Sequence, residues 1–254
     1  MNAKKLITLS AAMLLALTGT SLANKPAGDD TWKGNSLIVP PHANYAGKSY
    51  AEWLAAAEEW RFSITGTWED APEMDADGSS SGLNQQGPVF FLQYSWTLDP
   101  HHPVPDDRYA NVRAGQAILA DLDGWFSIAP TIYPLADLES ELRAWSGLWT
   151  EYLTLIIDGV EVPINGTMES PYFSHAAFQI AVPENSATMN LIGGPAAAGT
   201  YNMAVDEWIA LIKPLPVGEH LIQIKGGNPG TADPVGTDQN IWWNWVNWHI
   251  TVIP

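Results

Sequence analysis

Two acidic residues in the middle of the chain have a spacing that could support chemistry. Asp121 and Asp123 stand two positions apart in AILADLDGWF, and on a β-strand such residues share a face. Two carboxylates on one face could bind calcium or form the acid–base pair of a glycosidase. The surrounding pattern lacks the third acid that sandwich glycosidases with Glu-x-Asp-x-x-Glu strands carry, and Asp123-Gly124 is also typical of a turn. The pair therefore supports a hydrolase or lyase as an alternative hypothesis, with a nearby histidine assisting.

A second group of candidate ligands lies in the proline-rich stretch DPHHPVPDDR, from Asp99 to Arg108. His101, His102 and Asp106 offer nitrogen and oxygen atoms that suit a divalent metal. Neighbouring side chains in an extended loop diverge, so two adjacent histidines rarely bind one ion without further ligands. The competing interpretation is a solvated surface loop, which the prolines favour. We predict no resident cofactor, with calcium as the one candidate ion.

Aromatic residues are the most informative feature, because the chain contains 13 Trp and 8 Tyr. In the C-terminal run IWWNWVNWHITVIP, four residues alternate onto one face of a predicted strand: Trp243, Trp245, Asn247 and His249. Sugar rings stack on indoles, while Asn and His can hydrogen-bond to hydroxyl groups. The row therefore predicts a polysaccharide-binding surface. In the alternative interpretation, one of two tryptophan-bearing helices covers the row, which then belongs to the core.

The same strand predicts where the core lies. Its opposite face is more apolar and should face inward: Trp242, Asn244, Val246, Trp248, Ile250 and Val252. Two further strands are predicted within residues 204–214 and 218–227. Because the last strand carries Trp on both faces, we expect another sheet on one side and a helix, a loop or a ligand on the other.

Two segments have the periodicity of amphipathic helices. Ser49 and Glu52 form a capping box, and the helix that they begin should end near Ser63. Its apolar stripe, spaced i, i+4, i+7 and i+11, comprises Trp53, Ala57, Trp60 and Ile64. Glu58 and Arg61 are predicted to point mostly away from that stripe. We expect the stripe to pack on a sheet.

A second helix is predicted from Asp137 to Glu151, with the stripe Leu138, Leu142, Trp145 and Trp149. It leads into a β-hairpin that turns at Asp158-Gly159, since Asp-Gly between alternating runs is a strong hairpin signal. Glycines at 115, 199 and 218 precede three predicted strands, two of which are those at 204–214 and 218–227, and give the chain freedom to turn. Residues 68–86 and 185–199 are predicted to be loops.

Together these elements predict a mainly β fold. We expect an antiparallel β-sandwich of the jelly-roll type with two amphipathic helices packed on it. The sequence contains no long internal repeat and no linker. Residues 45–254 are therefore expected to form a single domain that follows an extended arm over residues 24–44.

The first 23 residues have the pattern of a secretory signal peptide. Lys4 and Lys5 precede the apolar run Leu6–Leu17, and Ser21-Leu22-Ala23 fits the small-residue cleavage rule. We therefore predict an exported, soluble protein, periplasmic or extracellular, without a membrane span. Loss of both lysines with the leader would change the net charge from −17 to −19, which disfavours nucleic acid and anionic membranes as partners. The chain has no cysteine, which excludes disulfides and thiol chemistry.

The order of several motifs resembles that of a widespread family of secreted bacterial proteins. The matching motifs are Gly47-Lys48-Ser49-Tyr50, Gln86-Gly87-Pro88-Val89-Phe90-Phe91-Leu92, Arg113-Ala114-Gly115-Gln116-Ala117, Asp158-Gly159 and Pro216-Val217-Gly218-Glu219-His220. Many relatives carry cysteines near the second and third motifs, whereas this chain has none. The resemblance implies the fold and the exported location only, because the family brings no established activity and no catalytic residues.

Three functional hypotheses follow from these observations. The first is an exported binding or envelope-associated protein without catalysis, with a polysaccharide as the expected ligand. The second is the carboxylate-based hydrolase or lyase, with or without a metal, so enzymatic activity stays open. The third is a structural subunit of an extracellular assembly, which would need an exposed apolar patch. The sequence leaves the oligomeric state undetermined.

Overall fold

The computed structural model describes residues 37–96, 106–146, 153–194, 197–227 and 243–254. The strands in this part of the chain are β1 (Val89–Leu92), β2 (Asp106–Arg113), β3 (Ala117–Pro130), β4 (Thr154–Ile157), β5 (Val160–Val162), β6 (Phe173–Val182), β7 (Gly199–Ile212), β8 (Gly218–Gly227) and β9 (Trp243–Ile253). The α-helices are α1 (Tyr50–Ser63), α2 (Leu135–Ser146) and α3 (Ala187–Leu191).

The strands form two sheets. One has four strands in the order β1-β3-β7-β6, and the other has five in the order β2-β9-β8-β4-β5. The predicted β-sandwich is confirmed, and most strand pairs are antiparallel. The sequence did not predict two parallel pairs, β1–β3 and β2–β9, each of which adds a strand at one edge of its sheet.

The four-stranded sheet is covered on both faces, as β7, one of its two inner strands, demonstrates. Val205, Ile209 and Leu211 pack in one apolar cluster with α1 and α3. Trp208 and Ala210 alternate with them and pack in a second cluster against the five-stranded sheet. Further along that second face, β7 packs on α2. The layers are therefore α1, then the four-stranded sheet, then the five-stranded sheet with α2 beside it.

Helix α1 begins as the sequence predicts. The Ser49 hydroxyl accepts from the Glu52 N–H and the Glu52 carboxylate accepts from the Ser49 N–H, which completes the capping box. The whole predicted stripe is buried, and α1 packs on β6 and β7. The prediction for Glu58 and Arg61 is wrong, because both side chains are fully buried. They reach other buried charges, which helical periodicity alone does not reveal.

Helix α2 and the following hairpin also agree with the sequence. Leu138 and Leu142 are buried against β3 and β7. The Trp145 side chain and the end of the predicted helix, residues 147–151, lie outside the described part of the chain. In the hairpin, Asp158 and Gly159 have φ angles of 50° and 80°, as a two-residue turn between β4 and β5 requires.

Several segments predicted to be loops carry more structure than expected. Residues 68–86 contain two short 3-10 helices, Trp68–Asp70 and Ser79–Gly82, and residues 185–199 contain α3. Asp106–Arg108, at the end of the predicted surface loop, belong to β2, and Arg108 is buried. Residues 37–39 of the N-terminal arm hydrogen-bond to the last residues of β7 and to Lys213. Strand β6 does not pair with that part of β7.

The alternation of β9 is confirmed. Asn244, Val246, Trp248, Ile250 and Val252 are buried between the sheets, whereas the intervening residues are partly exposed. Trp242 and the predicted signal peptide over residues 1–23 lie outside the described residues. No helix in the described ranges is long and apolar enough to cross a membrane.

Candidate functional site

The outer face of the five-stranded sheet is the surface that points away from the four-stranded sheet. On β9 it carries Trp245, Asn247 and His249, which are all partly exposed. The strand register places Lys225 of β8 directly opposite Trp245. Asp107 of β2 is likewise paired with Asn247. Three predicted site residues thus lie on one surface, and the side chain of Trp243, the fourth, lies outside the described part.

Hydrogen bonds connect the polar residues of this outer face across three strands. Gln223 Nε2 donates to Asn247 Oδ1 over 2.9 Å. Asn247 Nδ2 then donates to Asp107 Oδ1 over 3.1 Å. His249 Nε2 lies 3.0 Å from the same oxygen, so the proton that it donates is on Nε2. These bonds from His249 and Asn247 lower the pKa of the Asp107 carboxyl. The carboxylate is therefore held in place and ionised.

Two aromatic contacts flank this hydrogen-bonded chain. Tyr109 of β2 stacks on the His249 ring, with 4.8 Å between the ring centroids and 16° between the planes. Tyr109 is 59% exposed, so most of its ring is open to solvent. At the other end, the Lys225 ammonium lies 3.9 Å from the centroid of the Trp245 ring. The outer face thus combines ring surfaces with fixed donors and acceptors.

The helices pack elsewhere. Helix α1 lies on β6 and β7, and α2 lies on β3, β6 and β7, which all belong to the four-stranded sheet. The described parts of α1 and α2 therefore do not cover the Trp245–His249 row, whereas the predicted end of the second helix, residues 147–151, lies outside the described part of the chain. The row stays partly exposed because the tryptophans of α1 are used on the opposite side of the molecule.

The two candidate catalytic acids do not share a face. A bulge in β3 shifts the register between the two acids. Asp121 pairs with Ile209, whereas Asp123 pairs with Trp208, which immediately precedes Ile209 in β7. Ile209 faces α1 and Trp208 faces the other sheet, so the two carboxyls project to opposite sides. A bulge inserts one residue and breaks the simple alternation on which the prediction rested. With 2% and 6% of their surfaces exposed, the acids do not form an accessible pair.

Asp123 lies between the two sheets. Its Oδ1 accepts from the Gly124 N–H over 2.8 Å. Burial raises its pKa to about 7, partly offset by that N–H and by the nearby Asn244 amide. Asn244 is fully buried, and its side-chain amide makes no hydrogen bond of good geometry. This interior position therefore keeps the carboxyl protonated at mildly acidic pH, where a carboxyl of ordinary pKa has already ionised.

Asp121 belongs to a buried charged cluster that the sequence did not predict. The Arg61 guanidinium lies 3.1 Å from Glu58, 3.0 Å from Glu73 and 3.6 Å from Glu207. Asp121 accepts from Gln93 close by. Burial raises the pKa of the Glu58, Asp121 and Glu207 carboxyls, and Arg61 opposes that rise. Because one guanidinium does not offset the burial of these three carboxyls, proton uptake by them lowers the cost of the cluster.

Gly124 makes the position of Glu207 possible. A β-carbon at residue 124 would lie 2.2 Å from Glu207 Cγ and 2.5 Å from the Asp206 carbonyl oxygen. The glycine that suggested a turn is therefore inside β3, where it leaves room for a neighbouring side chain. The Asp-Gly pair in the sequence carried no signal for that packing.

A second unpredicted cluster lies beneath α2. His175 Nδ1 is 2.5 Å from Asp206 and its Nε2 is 2.9 Å from Glu139. Arg143 also reaches Asp206, over 3.2 Å. An imidazole held by a buried carboxylate could act as a base, but Glu139 occupies the second ring nitrogen. The cluster joins α2 to β6 and β7, and no periodic pattern in the sequence indicated it.

The described structure contains one of the three candidate metal ligands, so this site stays a prediction. His101 and His102 lie outside the described residues. Asp106, at the start of β2, accepts a hydrogen bond from the Ser95 hydroxyl. Across the described ranges, no three His, Asp or Glu side chains are grouped as metal ligands.

Comparisons with known proteins add little to this geometry. No protein-family model matches the chain, and no curated protein matches it. Among solved structures, the solution structure of Amebosin is similar at 8% identity over 65% of this chain and 100% of that chain, with a TM-score of 0.20. A similarity of that size supports no conclusion about fold or function. The resemblance to secreted bacterial proteins stays a prediction.

Proposed function

We propose that the protein is an exported, non-catalytic binding or envelope-associated protein whose outer sheet face binds a polysaccharide. The observation that supports this most is the row Trp245, Asn247 and His249, partly exposed and extended on β2 by Asp107 and Tyr109. A sugar polymer needs ring surfaces for its C–H faces and fixed polar groups for its hydroxyls. This face offers both on a rigid sheet, which limits the entropic cost of binding.

The same arrangement favours binding over hydrolysis. A glycosidase places two carboxyls about 5 to 10 Å apart on either side of the scissile bond. Asp121 and Asp123 are buried on opposite faces of β3, and Asp107 is the one acid within the described hydrogen-bonded row. The export that the leader predicts would bring the protein to extracellular or envelope glycans.

The test is a depletion assay with a panel of soluble and insoluble polysaccharides. We expect Trp245→Ala to weaken binding about tenfold, equal to ~1.4 kcal/mol, because the stacking surface is lost. Trp68→Ala is the matched control, since Trp68 is an exposed tryptophan on a 3-10 helix that packs against α3, on the side of the four-stranded sheet. New reducing ends or unsaturated products would overturn the non-catalytic proposal. Absence of depletion across the panel would also overturn it, and concentration-dependent self-assembly would then favour a structural subunit.

A further inference from the structure

One face of the Trp245 indole is already occupied by a cation. The Lys225 ammonium lies 3.9 Å from the ring centroid, within the range of a favourable cation–π interaction. Lys225 reaches this position because it pairs directly with Trp245 across β8 and β9. A sugar that stacks on the indole has to compete with this ammonium group. A ligand that brings its own ammonium group would instead reproduce the interaction.

The carboxylate of Asp107 is the second feature that favours a cationic ligand. Asp107 pairs with Asn247, which is the next outward-facing residue of β9 after Trp245. Bonds from His249 and Asn247 hold it in place and keep its pKa low. It thus stays ionised at mildly acidic pH, where amines carry their full positive charge.

The net charge of the whole chain also favours a cationic ligand. With 28 acidic against 11 basic residues and a net charge of −17, the molecule attracts cationic polymers and repels anionic ones such as polyuronates. Long-range attraction alone does not select a site. The ammonium position over Trp245 and the fixed carboxylate of Asp107 provide that local selection.

Building on the proposed polysaccharide binding, we propose that the outer face recognises a polymer of amino sugars. Its ammonium groups replace that of Lys225 over Trp245 and pair with the Asp107 carboxylate. Lys225 then acts as an internal competitor that covers the indole until such a ligand displaces it.

The experiment compares a glucosamine hexamer with its fully N-acetylated counterpart by isothermal titration calorimetry at mildly acidic pH. The two sugars share the same ring backbone, but acetylation converts each charged amine into a neutral amide. We expect the glucosamine hexamer to bind about tenfold more tightly. Lys225→Ala should tighten its binding about two- to fivefold by freeing the indole, and Lys225→Gln should act in the same direction. Asp107→Asn should weaken it.

Matched variants separate this site from general attraction to an acidic protein. Lys213→Ala removes the same charge just beyond β7. Glu141→Gln removes an acid from an exposed position of α2, which packs on the four-stranded sheet. Equal effects of the matched variants and the site variants would overturn the inference. Equal affinity for both hexamers, with binding still lost in Trp245→Ala, would overturn it but leave the proposed function. Failure of every glycan to bind would overturn both.

Discussion

Replacing Asp123 by asparagine should stabilise the protein at pH 8 and leave its stability at pH 4 nearly unchanged. Asp123 is buried between the sheets, and burial raises its pKa from 3.8 to about 7. Between those values the folded protein keeps the proton that the unfolded chain has released. The free energy of unfolding therefore falls as the pH rises from about 4 to about 7, by the linkage between proton binding and stability. Asparagine does not ionise, so the variant lacks this loss.

The magnitude follows from the size of the shift. A rise from 3.8 to about 7 corresponds to about 4 kcal/mol at ~1.36 kcal/mol per pKa unit. This is an upper bound on the advantage of Asp123→Asn at pH 8, because rearrangement around an ionised carboxylate reduces its cost. The asparagine oxygen can still accept from the Gly124 N–H as Asp123 Oδ1 does. We therefore expect little change at pH 4, where the native side chain is protonated in the folded state.

Equilibrium unfolding in urea, followed by tryptophan fluorescence at several values between pH 4 and pH 8, measures the effect. Glu141→Gln on α2 is the control, since it removes an acid at an exposed position. The wild-type protein should lose stability with rising pH more steeply than Asp123→Asn. Parallel pH profiles for the two proteins would refute the reasoning. Lower stability of Asp123→Asn than of wild type at pH 8 would mean that the carboxylate is ionised and stabilised.

Two further changes test the packing and the helix start by the same unfolding assay. Gly124→Ala should lower the free energy of unfolding by about 1–3 kcal/mol, because the new β-carbon would lie 2.2 Å from Glu207 Cγ. Gly82→Ala is the control, since the space around Gly82 is open. Equal urea midpoints for the two variants would contradict the expected clash. Ser49→Ala should lower the free energy of unfolding by about 1 kcal/mol, because α1 loses its capping hydroxyl. Ser49→Thr keeps a hydroxyl at this position, so its free energy of unfolding should stay near that of the wild type. Equal losses in both Ser49 variants would show that the hydroxyl does not stabilise the helix.

Local patterns were sufficient to predict most of the elements. Helix α1 begins at a capping box whose two partners are three residues apart, and the hairpin after β4 turns at Asp158-Gly159. The alternation in β9 correctly separated buried Val246 and Trp248 from the partly exposed residues between them. Each of these features depends on neighbours within a few positions, so the sequence contains the information directly.

Sequence patterns failed where a residue depends on a distant strand. Asp121 and Asp123 are separated by a bulge whose register is set by β7. Glu58 and Arg61 look like solvent-facing helix positions, yet buried Glu73 and Glu207 meet them in the folded protein. Charge pairing between elements far apart in the chain leaves no periodic signal, so these positions could not be predicted.

The candidate site divides in the same way. The sequence by itself determined that Trp245, Asn247 and His249 share one face of a strand, since the side-chain direction of a strand alternates with period two. Only the tertiary structure decided that the described helices α1 and α2 leave this face uncovered, because both pack on the other sheet. It also brought Asp107, Tyr109 and Lys225 to the row through pairing with β2 and β8. Strand partners are chosen by the burial of whole faces, a property of the assembled sheets that no single stretch of sequence contains.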